Sequence, residues 1–75
     1  VKDLDQIRLK KIGERLQELR LQKNLTQKEL AFILDIEISQ ITRIERGVIN
    51  TSVLSLMRIS DALGMSISEF LKEIN

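Results

Sequence analysis

An all-α fold of five short helices is what this 75-residue sequence predicts, and three observations lead there. Apolar residues recur at three- and four-residue spacing in every long segment, the period of a helix with one buried face. Two boxes of the form S/T-x-x-E, Thr26-Gln27-Lys28-Glu29 and Ser66-Ile67-Ser68-Glu69, mark helix starts. No stretch alternates apolar with polar long enough for a strand, and with no proline and only 3 glycines there is little material for long loops.

A chain this short buries only about 60% of the surface its unfolded form exposes, so its stability is modest unless it associates. One domain over residues 1–75 is expected, residues 1–11 extending the first helix at its N-terminal end. Leu, Ile and Val dominate the 43% hydrophobic fraction and only Phe32 and Phe70 are aromatic, which makes the core aliphatic. The absence of Cys and His excludes disulfides, thiolate metal sites, Cys nucleophiles and His general bases. No carboxylate cluster has ligand spacing, so no metal, cofactor or small-molecule substrate is expected, and no enzyme. The longest apolar run, Leu30 to Leu34, is too short to span a bilayer, and no export signal is evident, so a cytoplasmic protein with no membrane partner is expected. The net charge of +1 decides nothing by itself. Its distribution does more: Lys10, Lys11 and Arg15 sit in the first helical region, Arg43 and Arg46 near the end of the central motif.

In chain order, residues 1–24 read as one helix with Asp3 or Asp5 as its N-cap and Leu9, Ile12, Leu16 and Leu19 along one face. Gly13 costs about 1 kcal/mol against alanine there, which makes the helix firm only from about Ile12. Asn24 is a left-handed stop. A second helix starts at Gln27 and runs to about Leu34 with Leu30, Ala31 and Leu34 facing in. Asp35 and Ile36 turn the chain, since Asp tolerates positive φ. Glu37 caps a third helix or sits in its first turn. Steps of 100° put Glu37, Ile38, Ile44 and Glu45 within about 60° of Ile41, and Ser39, Gln40, Thr42, Arg43 and Arg46 on the opposite side. Gly47 ends that helix. Val48 to Thr51 connects it to a fourth, capped by Asn50, Thr51 or Ser52, carrying Val53, Leu56, Met57, Ile59 and Leu63 and stopping at Gly64. The last helix holds Ile67, Phe70, Leu71 and Ile74.

Two short helices joined by a tight turn have helix-turn-helix geometry, whose second helix lies in the major groove of double-stranded DNA. The candidate base-contacting residues are Ser39, Gln40, Thr42 and Arg43, whose donors and acceptors match base edges. Arg43 is the most informative, because a guanidinium can bond guanine O6 and N7 together; an ordinary surface arginine is the competing reading, weakened by the short polar Ser39 one turn earlier. Ile38 is a packing residue or touches a thymine methyl. Gln27, at the N-terminus of the second helix, is a candidate phosphate contact, and Arg46, Asn50 and Thr51 can flank the groove on a backbone strand.

The segments T-Q-K-E-L-A-F-I-L at Thr26 to Leu34, I-S-Q-I-T-R-I-E-R-G at Ile38 to Gly47, then N-T-S-V-L-S-L, I-S-D-A-L-G and S-I-S-E-F-L resemble the Cro and phage-repressor type of helix-turn-helix domain, the lambda-repressor-like family. The resemblance covers about residues 12–72 and implies a compact five-helix domain that binds operator DNA as a two-fold dimer. It puts Gln27 on a phosphate, Ser39, Gln40 and Arg43 towards bases and Ile38 at the groove edge, and it implies an Arg20–Glu45 ion pair joining the first helix to the recognition helix. Asp35, Glu37, Ile38, Val48 and Ile49 depart from the family pattern.

The layout is similar to that of the controller proteins of restriction-modification systems, with 75 residues leaving no room for a sensor module; a phage Cro-like repressor or an antitoxin is the alternative. A homodimer with recognition helices about 34 Å apart on a near-palindromic site is expected. Its surface is assigned to Ile67, Phe70, Leu71 and Ile74, which otherwise close the monomer core. Phe32 and Ile33, at positions normally exposed, either cover the flank of the first helix or contact something; with Ile49 they define a second reading, a protein-interaction module on the same fold.

Overall fold

The computed structural model describes residues 2–74, arranged as α1 (Lys2–Gln22), α2 (Gln27–Leu34), α3 (Ile38–Arg46), α4 (Val53–Ala62) and α5 (Ile67–Phe70). No strand occurs among the described residues. At 1.5 Å per residue the 21 residues of α1 span about 31 Å, so this helix sets the 34 Å long axis of the molecule. It is continuous through Gly13, and Asp3 and Asp5 lie in its first turn rather than at its cap.

Local chemistry explains where the helices begin and end. Thr26 Oγ1 accepts the Glu29 N–H at 3.0 Å while Glu29 accepts the Thr26 N–H at 2.8 Å, a complete capping box. Ser52 caps α4 through the Ser55 N–H, and Ser66 caps α5 through the Glu69 N–H. Glu37 occupies the N-cap of α3 but makes no side-chain bond there, because its carboxylate is one methylene too long for the usual short-side-chain cap. Asn24, Asp35, Gly47 and Gly64 all take the left-handed conformation. After each, the next residue's N–H reaches back to the carbonyl five positions earlier, as in Ile36 to Ala31 and Val48 to Arg43. These four stops satisfy orphan carbonyls and turn the chain sharply.

Leu16, Leu19, Leu30, Ala31, Leu34, Ile41, Ile44, Leu56, Ile59, Leu63 and Phe70 form one core. Phe70 is fully buried in it. That corrects the assignment of Phe70 to a dimer surface: the domain has too few aromatics to fill its centre without this one, and α5, a single turn, exists to insert it. Ile67, Leu71 and Ile74 stay half-buried around it. Arg15 secures the insertion, its Nε donating to the Phe70 carbonyl and Nη2 to the Glu69 carbonyl, both at 3.0 Å. On α4, Val53 and Met57 are exposed and the buried residues are Leu56, Ile59 and Ser60, with Leu63 buried at its C-cap. Ser60 is tolerated inside because its hydroxyl donates to the Leu56 carbonyl at 2.8 Å.

Candidate nucleic-acid interface

α3 lies across the middle of α1 and against α2. Its inward face is Ile41, Ile44 and Glu45, and its outward face carries Ser39, Gln40, Arg43 and Arg46, all exposed. Ile38, placed on the inward side by the 100° count, is instead 46% exposed at the first position of the helix.

An acid buried on that inward face needs a partner, and it has two. Arg20 Nε donates to Glu45 Oε2 at 2.6 Å and Nη2 to Oε1 at 3.1 Å, with both side chains buried. The third guanidinium nitrogen donates to the Leu25 carbonyl at 2.7 Å. Gln27 Nε2 donates to Glu45 Oε1 at 2.9 Å, and Gln27 Oε1 accepts from the Thr42 hydroxyl at 2.8 Å. The result is one chain of polar contacts from the α1–α2 turn through Arg20, Glu45 and Gln27 to Thr42. No buried side-chain polar atom among the described residues lacks a partner. Such a network is best credited with fixing orientation, because desolvation offsets much of its attraction.

The candidate residues fall into distinct environments. Ser39, Gln40 and Arg43 share the open face of α3 with Arg46, and neither Arg43 nor Arg46 is tied up in an ion pair among the described residues. Thr42 is half-buried and spends its single proton inside the domain. Gln27 is half-buried at the start of α2, with one amide hydrogen left over after its bond to Glu45. Asn50 is exposed and Thr51 half-buried; with Gln40 they line one depression of about 180 Å³ beside the α3–α4 connection. Arg15 turns towards α5 and is removed from the basic residues available to this face.

Sequence reasoning missed the internal role of Gln27, although the signal was present. Gln27 stands in the i, i+3, i+4, i+7 register with Leu30, Ala31 and Leu34, so a polar residue there faces inward and needs internal partners. It also missed Arg58, which donates to the Leu34 carbonyl and so ties α4 to the turn between α2 and α3. Among the described residues, no group of His, Cys, Asp and Glu could hold a metal ion, and no helix is long and apolar enough to cross a membrane.

A rigid two-helix unit whose second helix presents an uncommitted polar face defines a DNA-binding helix-turn-helix domain. The chain belongs to the helix-turn-helix family, whose model matches residues 16–70, and its relatives are transcription regulators and restriction-modification controllers. It is similar to the control protein C.BamHI of Bacillus amyloliquefaciens, 38% identical over 60 residues covering 79% of this chain and 74% of that protein. The crystal structure of the restriction-modification controller protein C.AhdI from Aeromonas hydrophila matches with a TM-score of 0.79 at 37% identity, covering 83% of this chain and 94% of that one. The controller C.Esp1396I, solved as a tetramer in complex with its natural 35 base-pair operator, matches with a TM-score of 0.80 at 30% identity, over 89% and 88% of the two chains.

Proposed function

We propose that this protein is a sequence-specific DNA-binding regulator, the controller of a restriction-modification operon, acting in the cytoplasm as a homodimer on a near-palindromic operator and carrying no enzymatic activity. The observation that carries this reading is the outward face of α3, where Ser39, Gln40, Arg43 and Arg46 stand free on a helix held from behind by the Arg20–Glu45 pair. In this reading Ser39, Gln40 and Arg43 meet base edges, and Thr42 reaches them with its methyl group, its hydroxyl being held by Gln27. Gln27 gives its remaining amide hydrogen to a phosphate at the N-terminus of α2, and Arg46, Asn50 and Thr51 grip the backbone beyond the other end of α3.

The dimer forms through the C-terminal turn, where Ile67, Leu71 and Ile74 remain partly exposed around the buried Phe70. All 75 residues act as a single domain. Likeness to a controller that occupies its operator as a tetramer supports binding of two dimers at neighbouring sites. The test is selection of bound duplexes from a random pool. A symmetric enriched motif is expected, with half-sites one helical turn apart. An Arg43→Ala variant that binds the recovered duplex as the wild type does, with no steep salt dependence in either, would overturn the reading.

A further inference from the structure

We propose that Ile38, with the methyl group of Thr42 one turn further on, reads the C5-methyl group of a pyrimidine in each half-site. The inference rests on the proposed DNA-binding function and names what the start of α3 recognises. Ile38 is the first residue of α3 and 46% exposed. It lines the same shallow depression as Gln27, so a strand whose phosphate meets Gln27 passes beside Ile38. An isoleucine there has no donor or acceptor to offer. Set against a polar base edge, it would leave that edge stripped of water and unpaired, which costs affinity. The one apolar group on the floor of the major groove is the methyl at pyrimidine C5.

Two neighbours favour the same ligand. Thr42 lies about 40° from Ile38 around the helix and one turn along it, close enough for the two side chains to form one surface. Its hydroxyl donates to Gln27 Oε1 at 2.8 Å, with the Ile38 carbonyl oxygen also in reach at 3.2 Å. Gln27 is held in turn by Glu45 at 2.9 Å. Thr42 therefore has no proton to give a base, and its methyl is what it adds to the apolar surface. Glu37, just before Ile38, is exposed, makes no side-chain cap bond and enters no ion pair among the described residues. A free carboxylate repels phosphates, and in the groove it can accept only from the exocyclic amino groups of cytosine or adenine. The start of α3 is thus suited to base edges and not to the backbone.

Thymine and 5-methylcytosine carry the same methyl at the same place, and substitution in the duplex recovered by selection separates them. Each thymine of the half-site is replaced by deoxyuridine, and each cytosine by 5-methylcytosine, one position at a time. Loss of the methyl at one thymine is expected to weaken wild-type binding about fourfold per half-site, and roughly fifteenfold when both half-sites are changed. A matching gain on methylation of one cytosine, with no thymine responding, makes 5-methylcytosine the ligand instead. The affinity ratio between methylated and unmethylated duplex is expected to fall within twofold of unity in Ile38→Ala, and to shrink in Thr42→Ser, which keeps the hydroxyl. Because each ratio is taken on one protein, a change in stability cancels; Ile38→Asn replaces Ile38→Ala should the latter not fold. The proposal is overturned if no position responds by more than twofold, or if the full ratio survives loss of Ile38. A full ratio in Thr42→Ser removes Thr42 from it. Recovered duplexes indifferent to the methyl leave the DNA reading standing, whereas wild-type protein that selects no duplex overturns that reading itself.

Discussion

Gly13 sits directly against the backbone of Ile44: a Cβ at residue 13 would stand 2.3 Å from the Ile44 carbonyl oxygen and 2.5 Å from that of Glu45. Both atoms belong to main chain and have no rotamer in which to escape. Gly47 repeats the arrangement from the other helix, a Cβ there meeting Lys10 Cα at 2.6 Å, at a φ of 72° that favours glycine in any case. Gly13→Ala therefore has the opposite sign to helix propensity, which alone would add about 1 kcal/mol of stability. The expected outcome is a loss of roughly 1–3 kcal/mol from overpacking, read as a lower urea midpoint at unchanged m-value. A midpoint equal to or above that of the wild type would refute the close approach of α1 to α3.

Removing one member of the buried pair should cost more than removing both. Arg20→Ala leaves the Glu45 carboxylate inside with only Gln27 to bond it, and a loss of roughly 3–5 kcal/mol is expected. Arg20→Met with Glu45→Leu removes both charges and should recover most of that loss. Equilibrium denaturation of Arg20→Met, Glu45→Leu and the double variant gives the coupling directly. Additive losses would show that the two side chains do not depend on each other.

The features legible in the sequence were those whose cause is local. Thr26 and Glu29 bond each other across one turn, and Leu30, Ala31 and Leu34 face inward because the helical period puts them there. Asp35 was readable as the turn because few residues tolerate its φ of 56°. What failed depended on a distant partner. Propensity charged Gly13 with a cost because it weighs a helix alone and not the carbonyls lying 2.3 and 2.5 Å from the missing Cβ. Periodicity marked Phe70 and Met57 alike as apolar-face residues, but only the fold decides that the first fills the centre and the second faces solvent. The open face of α3 was legible because Ser39, Gln40, Arg43 and Arg46 are polar residues on the side away from Ile41, with no hydrogen-bond or ion-pair partner for their side chains among the described residues.

Acid should weaken the start of α2. Hydrogen bonds from the Thr26 backbone and then its side chain hold the Glu29 carboxyl below its ordinary range. A carboxylate with a depressed folded-state pKa stabilises the fold above its unfolded value, about 4.3 for a free glutamate, and loses that contribution as pH falls through the folded value. Glu29→Gln should therefore lower the thermal midpoint at pH 7, and the gap to the wild type should close progressively below about pH 4.3. A gap that is constant down to acid pH would show that ionised Glu29 does not support the cap.

Arg43 and Arg46 stand three residues apart on the same helix and are both exposed, yet the proposed interface gives their loss different signatures. Arg43, towards the bases, should cost roughly 1–3 kcal/mol on substitution by alanine and relax preference at one position of the half-site. Arg46, beside a backbone strand, should weaken all duplexes by a similar factor and reduce the salt slope by about one contact. Anisotropy titrations of both variants on the selected duplex and on a single-base variant, each at several salt concentrations, separate the two. If Arg43→Ala lowers affinity equally for both duplexes while Arg46→Ala changes their ratio, the assignments exchange, and α3 lies in the groove with its C-terminal end deeper than its middle.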